Sequence, residues 1–290
     1  MNKQNRLSRD EKKAYAFITP ALIATLVLIV YPLCYIFKMS FSENSFGKSG
    51  FAGLTNYIRL IKNPQFKMAV QNTFRFTFFA VVASFFIGLF LAILINQEGI
   101  CGKGIWRGII FIAWVIPGVV KATAWKWILQ TSNGVLNSIL LSLCIIKEPI
   151  PWLTKPQFAM WSITMVQVWA CAPYVMLMMT AGLQQVSKEI YESADLDGAG
   201  PITKTFKITL PILKDICFIC ILMLTVWALN EFSLIWIMTS GGQNTTTLSL
   251  LIYNQFKVLN INAASASSIM QLILTMAFAG IYVRLMTRKS

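Results

Sequence analysis

The sequence specifies an all-α integral membrane protein with six transmembrane helices. Composition is the first sign: the chain is 56% hydrophobic and only 12% charged, where a soluble domain carries roughly a quarter charged residues. The second is that apolar runs of about 20 residues recur along it, the length needed to cross ~30 Å of hydrocarbon as a helix. The third is that these runs are continuously apolar rather than alternating, which excludes a β-barrel.

The six spans are expected at about residues 14–37, 70–95, 105–129, 158–183, 216–239 and 263–285, all within one membrane domain covering residues 1–290. The first follows the basic stretch MNKQNRLSRDEKKAYAF. No small-residue cleavage site precedes the polar turn near Phe41, so it reads as a retained helix rather than a removed signal peptide. The second is a long run of phenylalanine and aliphatic residues. The third carries Trp114, Pro117 and Gly118. The fourth carries Gln167, Trp169, Cys171 and Pro173. The fifth carries Trp227, Asn230 and Glu231. The prolines free backbone carbonyls and kink their helices.

An even number of spans puts both termini on one side, and the basic residues choose it. With the termini inside, the inner segments hold Lys3, Arg6, Arg9, Lys12, Lys13, Lys103, Arg107, Lys188, Lys204, Lys207, Lys214, Arg284, Arg288 and Lys289. The outer loops hold Lys38, Lys48, Arg59, Lys62, Lys67, Lys147, Lys155 and Lys257. The excess favours cytoplasmic termini, with the first outer loop and its five basic residues as an exception. The outer connection 130–157 carries Trp152 and three prolines. It reads equally as an external contact surface or as a packed lid.

The net charge of +14 would suggest nucleic acid in a soluble protein. Here the cations flank apolar runs and report topology and anionic lipid. The chain has no histidine, which removes the commonest general base and metal ligand. Cys217 and Cys220 have CxxC spacing but open an apolar span, where they read as packing residues. No metal site, catalytic residue or nucleotide-binding GxxxxGK[ST] loop is present. The chain is therefore not expected to be an enzyme or to hold a cofactor. ATP and Mg, if transport uses them, would be bound by a partner.

The connection 187–211 is different. Residues 189–197 read as a short helix with Glu189 and Glu192 near its positive end. Gly198 suits the left-handed position that closes a helix. Pro201 suits the first turn of a second helix, over 202–208, and Pro211 suits the re-entry to the fifth span. Four acids (Glu189, Glu192, Asp195 and Asp197) face one Lys188 on the first helix. An acidic helix at an anionic membrane surface points to a protein partner with a basic groove.

This stretch resembles the EAA loop of the permease subunits of binding-protein-dependent ABC importers. Glu192-Ser193-Ala194 is followed by Asp197-Gly198-Ala199, and then by Ile208-Thr209-Leu210-Pro211 at the family's spacing. Ser193 for alanine is the one departure. The resemblance implies that the loop is the coupling helix, seated in a cleft of an ATPase subunit, with Glu192 paired to a basic residue and Gly198 giving the turn. Gly53-Leu54-Thr55-Asn56-Tyr57, Trp152-Leu153, Ala181-Gly182-Leu183-Gln184 and Thr239-Ser240-Gly241-Gly242 look like the carbohydrate branch, the last like its maltose-permease F type. Gln243 stands where proline is common.

The resemblance further implies a second, different permease, two ATPase subunits and an extracellular solute-binding protein, anchored as a lipoprotein, in a bacterial cell membrane. It maps sugar contacts onto Trp114, Gly118, Gln167, Ala170, Cys171, Leu224, Trp227 and Ala228. Leu224 and Ala228 lack the polar groups expected there, which counts against maltose. Overall likeness to multiple-sugar and raffinose permeases points to an α-galactoside. Independently of the resemblance, tryptophan beside amide side chains supplies both stacking faces and hydroxyl partners for a sugar, and transporter sites lie where spans are broken near the midplane.

Glu231 is the one acid deep in an apolar span, and such a carboxylate lines water or meets a partner. With Asn230 it reads as a sugar or gating contact, a link to the second permease, a structural hydrogen bond, or a proton-coupling site. The last would make the protein a gradient-driven secondary transporter. A membrane scaffold docking a cytoplasmic partner is the other alternative. Lys121 and Lys126 read as cations snorkelling to the outer headgroups, or as contacts for the binding protein.

Overall fold

The computed structural model describes residues 9–45, 48–97 and 99–287. Of the cations that set the expected orientation, Lys3, Arg6, Arg288 and Lys289 lie outside the described residues.

The chain begins with α1 (Arg9–Thr25) and α2 (Tyr31–Ser40), joined into one helix by a π turn, Leu26–Val30. A two-stranded antiparallel hairpin follows, β1 (Ser42–Ser45) and β2 (Lys48–Phe51), with Ser42 opposite Phe51. Then come α3 (Thr55–Lys62), α4 (Pro64–Asn96), α5 (Lys103–Val115), α6 (Gly118–Ile128), α7 (Val135–Ser142) and α8 (Pro156–Leu183). After α9 (Lys188–Leu196), a second π turn, Thr205–Thr209, links α10 (Pro201–Lys204) to α11 (Leu210–Ile212). The chain closes with α12 (Lys214–Leu229), α13 (Ser233–Thr239), α14 (Leu248–Lys257) and α15 (Ile261–Thr287).

Four helices are long and apolar enough to cross a membrane unbroken: Tyr15–Ser40, Pro64–Asn96, Pro156–Leu183 and Ile261–Met286. The count reaches 6 when each bent helix pair is taken as one span. The third expected span is not one rod. Its halves α5 and α6 meet at 93°, because Ile116, which precedes Pro117, is pushed to ψ 129° and out of the helical region. The fifth is not continuous over 216–239 either. α12 ends at Leu229, and residues 230–232 break the helix before α13; the 83° bend lies ahead of it, between residues 201–212 and 214–229. Proline alone does not decide such breaks, since α8 runs unbroken through Pro173.

Both π turns have one local pattern. Tyr31 N–H donates to the Leu26 carbonyl and Leu210 N–H to the Thr205 carbonyl, each five residues back. In both, the next residue is a proline (Pro32 or Pro211), which has no N–H and whose ring crowds the carbonyl four residues behind it. The ladder widens just before the proline and the helix continues.

The centre of the bundle is the packing of α4 on α8. Ala80, Ser84, Gly88 and Ala92 recur every fourth residue of α4 and are all buried. Between helices in lipid there is little hydrophobic driving force, so small residues that let backbones approach closely become decisive. At Gly88 a methyl group would lie 2.5 Å from the Ala172 carbonyl oxygen. The α8 face is correspondingly dense, with Ile163, Val166, Val175, Met176 and Met179 fully buried.

Side-chain amides staple the end of the bundle opposite the 187–211 loop. Asn56 Nδ2 donates to the Ser40 and Ser42 carbonyls, both at 2.9 Å, and Tyr57 Oη donates to Ser40 Oγ at 2.8 Å. Asn262 Nδ2 reaches the Met39 and Ser42 carbonyls at 3.0 and 2.7 Å. Asn72 Nδ2 donates to the Asn244 and Thr246 carbonyls, within a turn where Ser240, Gly241, Gln243 and Asn244 all have positive φ. At Gln243, φ is +57°, a value closed to proline. The turn is therefore built differently from one that carries proline there.

The long connection 130–157 is held together around one buried amide. Asn137, 1% exposed, accepts from Ile150 N–H and Trp152 Nε1 and lies 2.9 Å from the Ile150 carbonyl through Nδ2. This connection includes α7, and the connection between the fifth and sixth spans includes α14. Neither helix was expected from the sequence, because both are short and lie between stronger apolar runs.

Candidate functional site

The two helix breaks lie against each other. α13 packs on α6, and a methyl group on Gly118 would sit 3.7 Å from Ser233 Cβ. Gly118 is the first residue of α6 and Ser233 the first of α13, so the second halves of two broken spans start side by side.

The break in the fifth span is built by side chains that compete with its backbone ladder. Asn230 Nδ2 donates to the Val226 carbonyl at 2.8 Å. Glu231 Oε1 accepts from Leu234 N–H at 2.9 Å, capping the start of α13. Gln271, from the middle of α15, reaches across with Nε2 to Ser249 Oγ at 2.8 Å, Asn230 Oδ1 at 3.1 Å and the Leu229 carbonyl at 3.2 Å. A polar side chain in an apolar span is the sequence signal that identifies Gln271.

Beside the breaks stands an aromatic cluster. Trp114 lies 6.1 Å from Trp227, Tyr174 stacks on Trp114 at 6.0 Å, and Tyr174 meets Trp227 edge-on at 4.8 Å. Trp114 is 37% exposed, and Trp227 and Tyr174 are half-buried. Tyr174 was missed in the sequence. It follows Gln167 and Cys171 at the i, i+4, i+7 spacing of one helix face.

The other expected contacts divide. Gln167 Nε2 donates to Cys171 Sγ at 3.3 Å, and both residues are buried. Ala170, Leu224 and Ala228 are within the helix core, at 1%, 2% and 3% exposure, so in this arrangement they back the site rather than face an opening. Gly118 is exposed. Lys121, in the first turn of α6, is half-buried.

At the opposite end of the bundle, residues 187–211 form two helices around one turn. Ala199 N–H donates to the Ala194 carbonyl at 2.9 Å and Gly198 N–H to Asp195 at 3.0 Å. These are the two bonds of a Schellman closure, and Gly198 has the left-handed φ of +75° that it needs. Gly200 precedes Pro201, the first residue of the next helix. Two side-chain bonds brace the limbs: the Lys204–Asp195 ion pair and Tyr191 Oη to Thr209 Oγ1 at 2.9 Å. Thr209 itself donates to the Lys204 carbonyl across the π turn, which leaves the Tyr191 hydroxyl to donate.

Ala194 and Thr209 are buried and Leu210 packs on the core. Glu192, Ser193, Asp197 and Pro211 are exposed, Ala199 and Ile208 half-buried. The acids share their surface with an apolar tip that the sequence reading did not single out: Leu196 is 91% exposed, Ile202 77% and Phe206 55%. Behind the hairpin lies a polar cavity of about 730 Å³, lined among others by Asn96, Lys103, Gln184, Glu192 and Lys204. Among the described residues, no group of three His, Cys, Asp or Glu is placed to hold a metal ion.

A family model described as "Binding-protein-dependent transport system inner membrane component" matches residues 84–289. The chain is 32% identical over 280 residues to the trehalose/maltose transport system permease protein MalF of Thermococcus litoralis, covering 95% of this chain and 94% of that one. It is also 32% identical over 286 residues to the sulfoquinovosyl glycerol transport system permease protein SmoG of Agrobacterium fabrum, covering 97% and 92%. Among solved structures, its fold is similar to a chain of a bacterial ABC transporter involved in import of the acidic polysaccharide alginate. The TM-score is 0.84 at 21% identity, over 97% of this chain and 96% of that one.

Proposed function

The chain belongs to the family of inner membrane components of binding-protein-dependent transport systems, and from that premise we propose that it forms one half of the membrane pore of an ATP-driven sugar importer. The observation that carries the proposal is the 187–211 hairpin: a glycine-closed pair of helices, cross-braced by Tyr191–Thr209 and Asp195–Lys204, with an acidic and apolar tip. Such a rigid knob suits docking into a cleft of a cytoplasmic ATPase subunit. Glu192 and Asp197 supply charge, Leu196, Ile202 and Phe206 supply buried area, and Ser193, Ala194, Gly198, Ala199, Ile208, Leu210 and Pro211 hold the shape.

In this reading the termini are cytoplasmic, in a bacterial inner membrane. A second, different permease completes the pore, two ATPase subunits bind ATP and Mg, and an extracellular solute-binding protein delivers the substrate. Relatives are named for trehalose/maltose, sulfoquinovosyl glycerol and arabinooligosaccharides, which supports a glycoside. A raffinose-type α-galactoside is the specific candidate. Trp114, Tyr174 and Trp227 offer ring faces for sugar C–H groups, and Gln167, Asn230 and Glu231 offer hydroxyl partners. Closure of the ATPase dimer would draw the hairpins of the two permeases together and turn the cavity outward, and product release would reverse it.

The test is purification of the tagged chain from its native membrane in mild detergent, with co-purifying chains identified by mass. A second six-span protein and a nucleotide-binding subunit, both lost on substituting Gly198 by a bulky residue, are the expected result. A chain that remains alone at wild-type sequence, under conditions that preserve other complexes, overturns the proposal.

A further inference from the structure

The five cations of the first outer loop remain unaccounted for by transport. Three of them, Arg59, Lys62 and Lys67, lie on or just beyond α3, which connects the end of the first span to the start of α4. At about 100° per residue, α3 has three distinct faces. Asn56 and Leu60 are buried against the protein, at 7% and 4% exposure, where α3 packs on α4 and α15. Leu54, Ile58 and Ile61, at i, i+4 and i+7, form an exposed apolar stripe at 62%, 52% and 54%. Arg59 and Lys62 lie between these two faces on one edge of the helix, and both are exposed.

A water-facing surface helix does not need a second apolar face. One lying in a bilayer boundary does: apolar side chains reach the acyl region while cations at the edge meet the headgroups. The surroundings agree. Phe41 stacks with Phe51 at 6.5 Å and contacts Phe37 and Tyr57 at 5.1 and 5.3 Å, and Tyr57, packed at the end of the first span, is of the amphipathic type enriched at membrane interfaces. Phe51 is 87% exposed. α3 is followed after one residue by α4 and preceded through the hairpin by α2, so it lies in the chain between two apolar spans. The ion pair of Arg59 with Glu43 at 3.3 Å joins two exposed side chains, and such a pair competes only weakly with a phosphate.

We propose that α3 is an interfacial helix that binds anionic phospholipid at the bundle end opposite the coupling hairpin, with Phe51, Leu54, Ile58 and Ile61 in the acyl boundary and Arg59 and Lys62 on the lipid phosphates. This rests on the membrane reading of the chain and not on its substrate. The full chain, in its native membrane, is fitted with a photoactivatable benzoylphenylalanine at position 58, with position 90 on α4 as a lipid-facing control. Covalent adducts of phospholipid mass at both positions are expected. An adduct with another protein chain at position 58 makes the stripe a protein interface and overturns the proposal. So does the absence of any adduct there while position 90 gives lipid.

The headgroup half is read separately. The chain is reconstituted in phosphatidylcholine vesicles containing a fixed fraction of phosphatidylglycerol, and the phosphatidylglycerol retained is counted by native mass spectrometry. Arg59→Gln and Lys62→Gln should each weaken retention by about fivefold. Wild-type retention in the double variant overturns the phosphate contacts. None of these readouts uses transport, so a wrong substrate or partner assignment leaves them standing.

Discussion

The coupling hairpin and the broken-span site are built by opposite rules. The hairpin is local: its closing bonds join Ala194 to Ala199 and Asp195 to Gly198, and its longest brace, Tyr191 to Thr209, spans 18 residues. The site at the breaks is assembled from α5, α6, α8, α12, α13 and α15, and its Gln271–Asn230 bond spans 41 residues. A local device presents one shape to a partner wherever it is carried. A distributed device changes whenever its helices shift relative to one another, as alternating access requires. The hairpin is thus suited to transmit motion, and the breaks to respond to it.

Gly198→Val gives the largest expected effect and bears most directly on that contrast. A β-branched residue at φ +75° costs at least ~1–2 kcal/mol, and nothing lies within 4 Å of the added Cβ, so the damage is to the turn rather than to packing. ATP-driven uptake in proteoliposomes carrying the full complex should fall by at least about tenfold, while Gly198→Asn, which tolerates the left-handed region, should retain more. Equal, near-normal uptake in both would break the claim that this turn transmits force.

Trp227→Ala comes next. Losing ring contacts of ~0.5–1.5 kcal/mol should weaken sugar-stimulated uptake up to about tenfold and leave basal ATP hydrolysis unchanged. A fall in both together would mean that the aromatic cluster is scaffold. Gln271→Leu removes hydrogen bonds worth ~0.5–1.5 kcal/mol each from the break and should lower the thermal midpoint in detergent by a few degrees. An unchanged midpoint would show that the fifth span breaks without help from the sixth. Tyr191→Phe is the smallest, one hydrogen bond of ~0.5–1.5 kcal/mol, seen as a few-fold drop in sugar moved per ATP with assembly intact. No drop would show that the Lys204–Asp195 pair suffices to brace the limbs.

The same contrast decides what could be read in advance. The hairpin was legible because Gly198, Pro201 and the acids each fix a local backbone choice within a few residues. Gly198 does adopt the left-handed conformation expected of it, and Pro201 does open a helix. The break at Pro117 was half legible, as a kink whose size of 93° the sequence does not contain. The break at 230–232 was partly legible: Asn230 and Glu231, both singled out in the sequence, bond to Val226 and Leu234 of their own span, whereas Gln271 was not, because it arrives from another span. Tyr174 was missed for the same reason, its partners Trp114 and Trp227 lying on other helices. The apolar tip at Leu196 and Ile202 was overlooked because exposed hydrophobic residues look ordinary in so apolar a chain.

The amide staple at the far end of the bundle bears on biosynthesis. The Ser42 carbonyl receives Asn56, 14 residues later, and then Asn262, 220 residues later. At about 5–20 residues per second, the second amide emerges tens of seconds after the first, when five spans are already inserted. The first span, with little of its own surface buried, has therefore to wait beside the bundle for the last one to arrive. Translational pausing or an early stop before residue 262 would leave the first span without its Asn262 latch, held at this end by Asn56 and Tyr57 among the described residues.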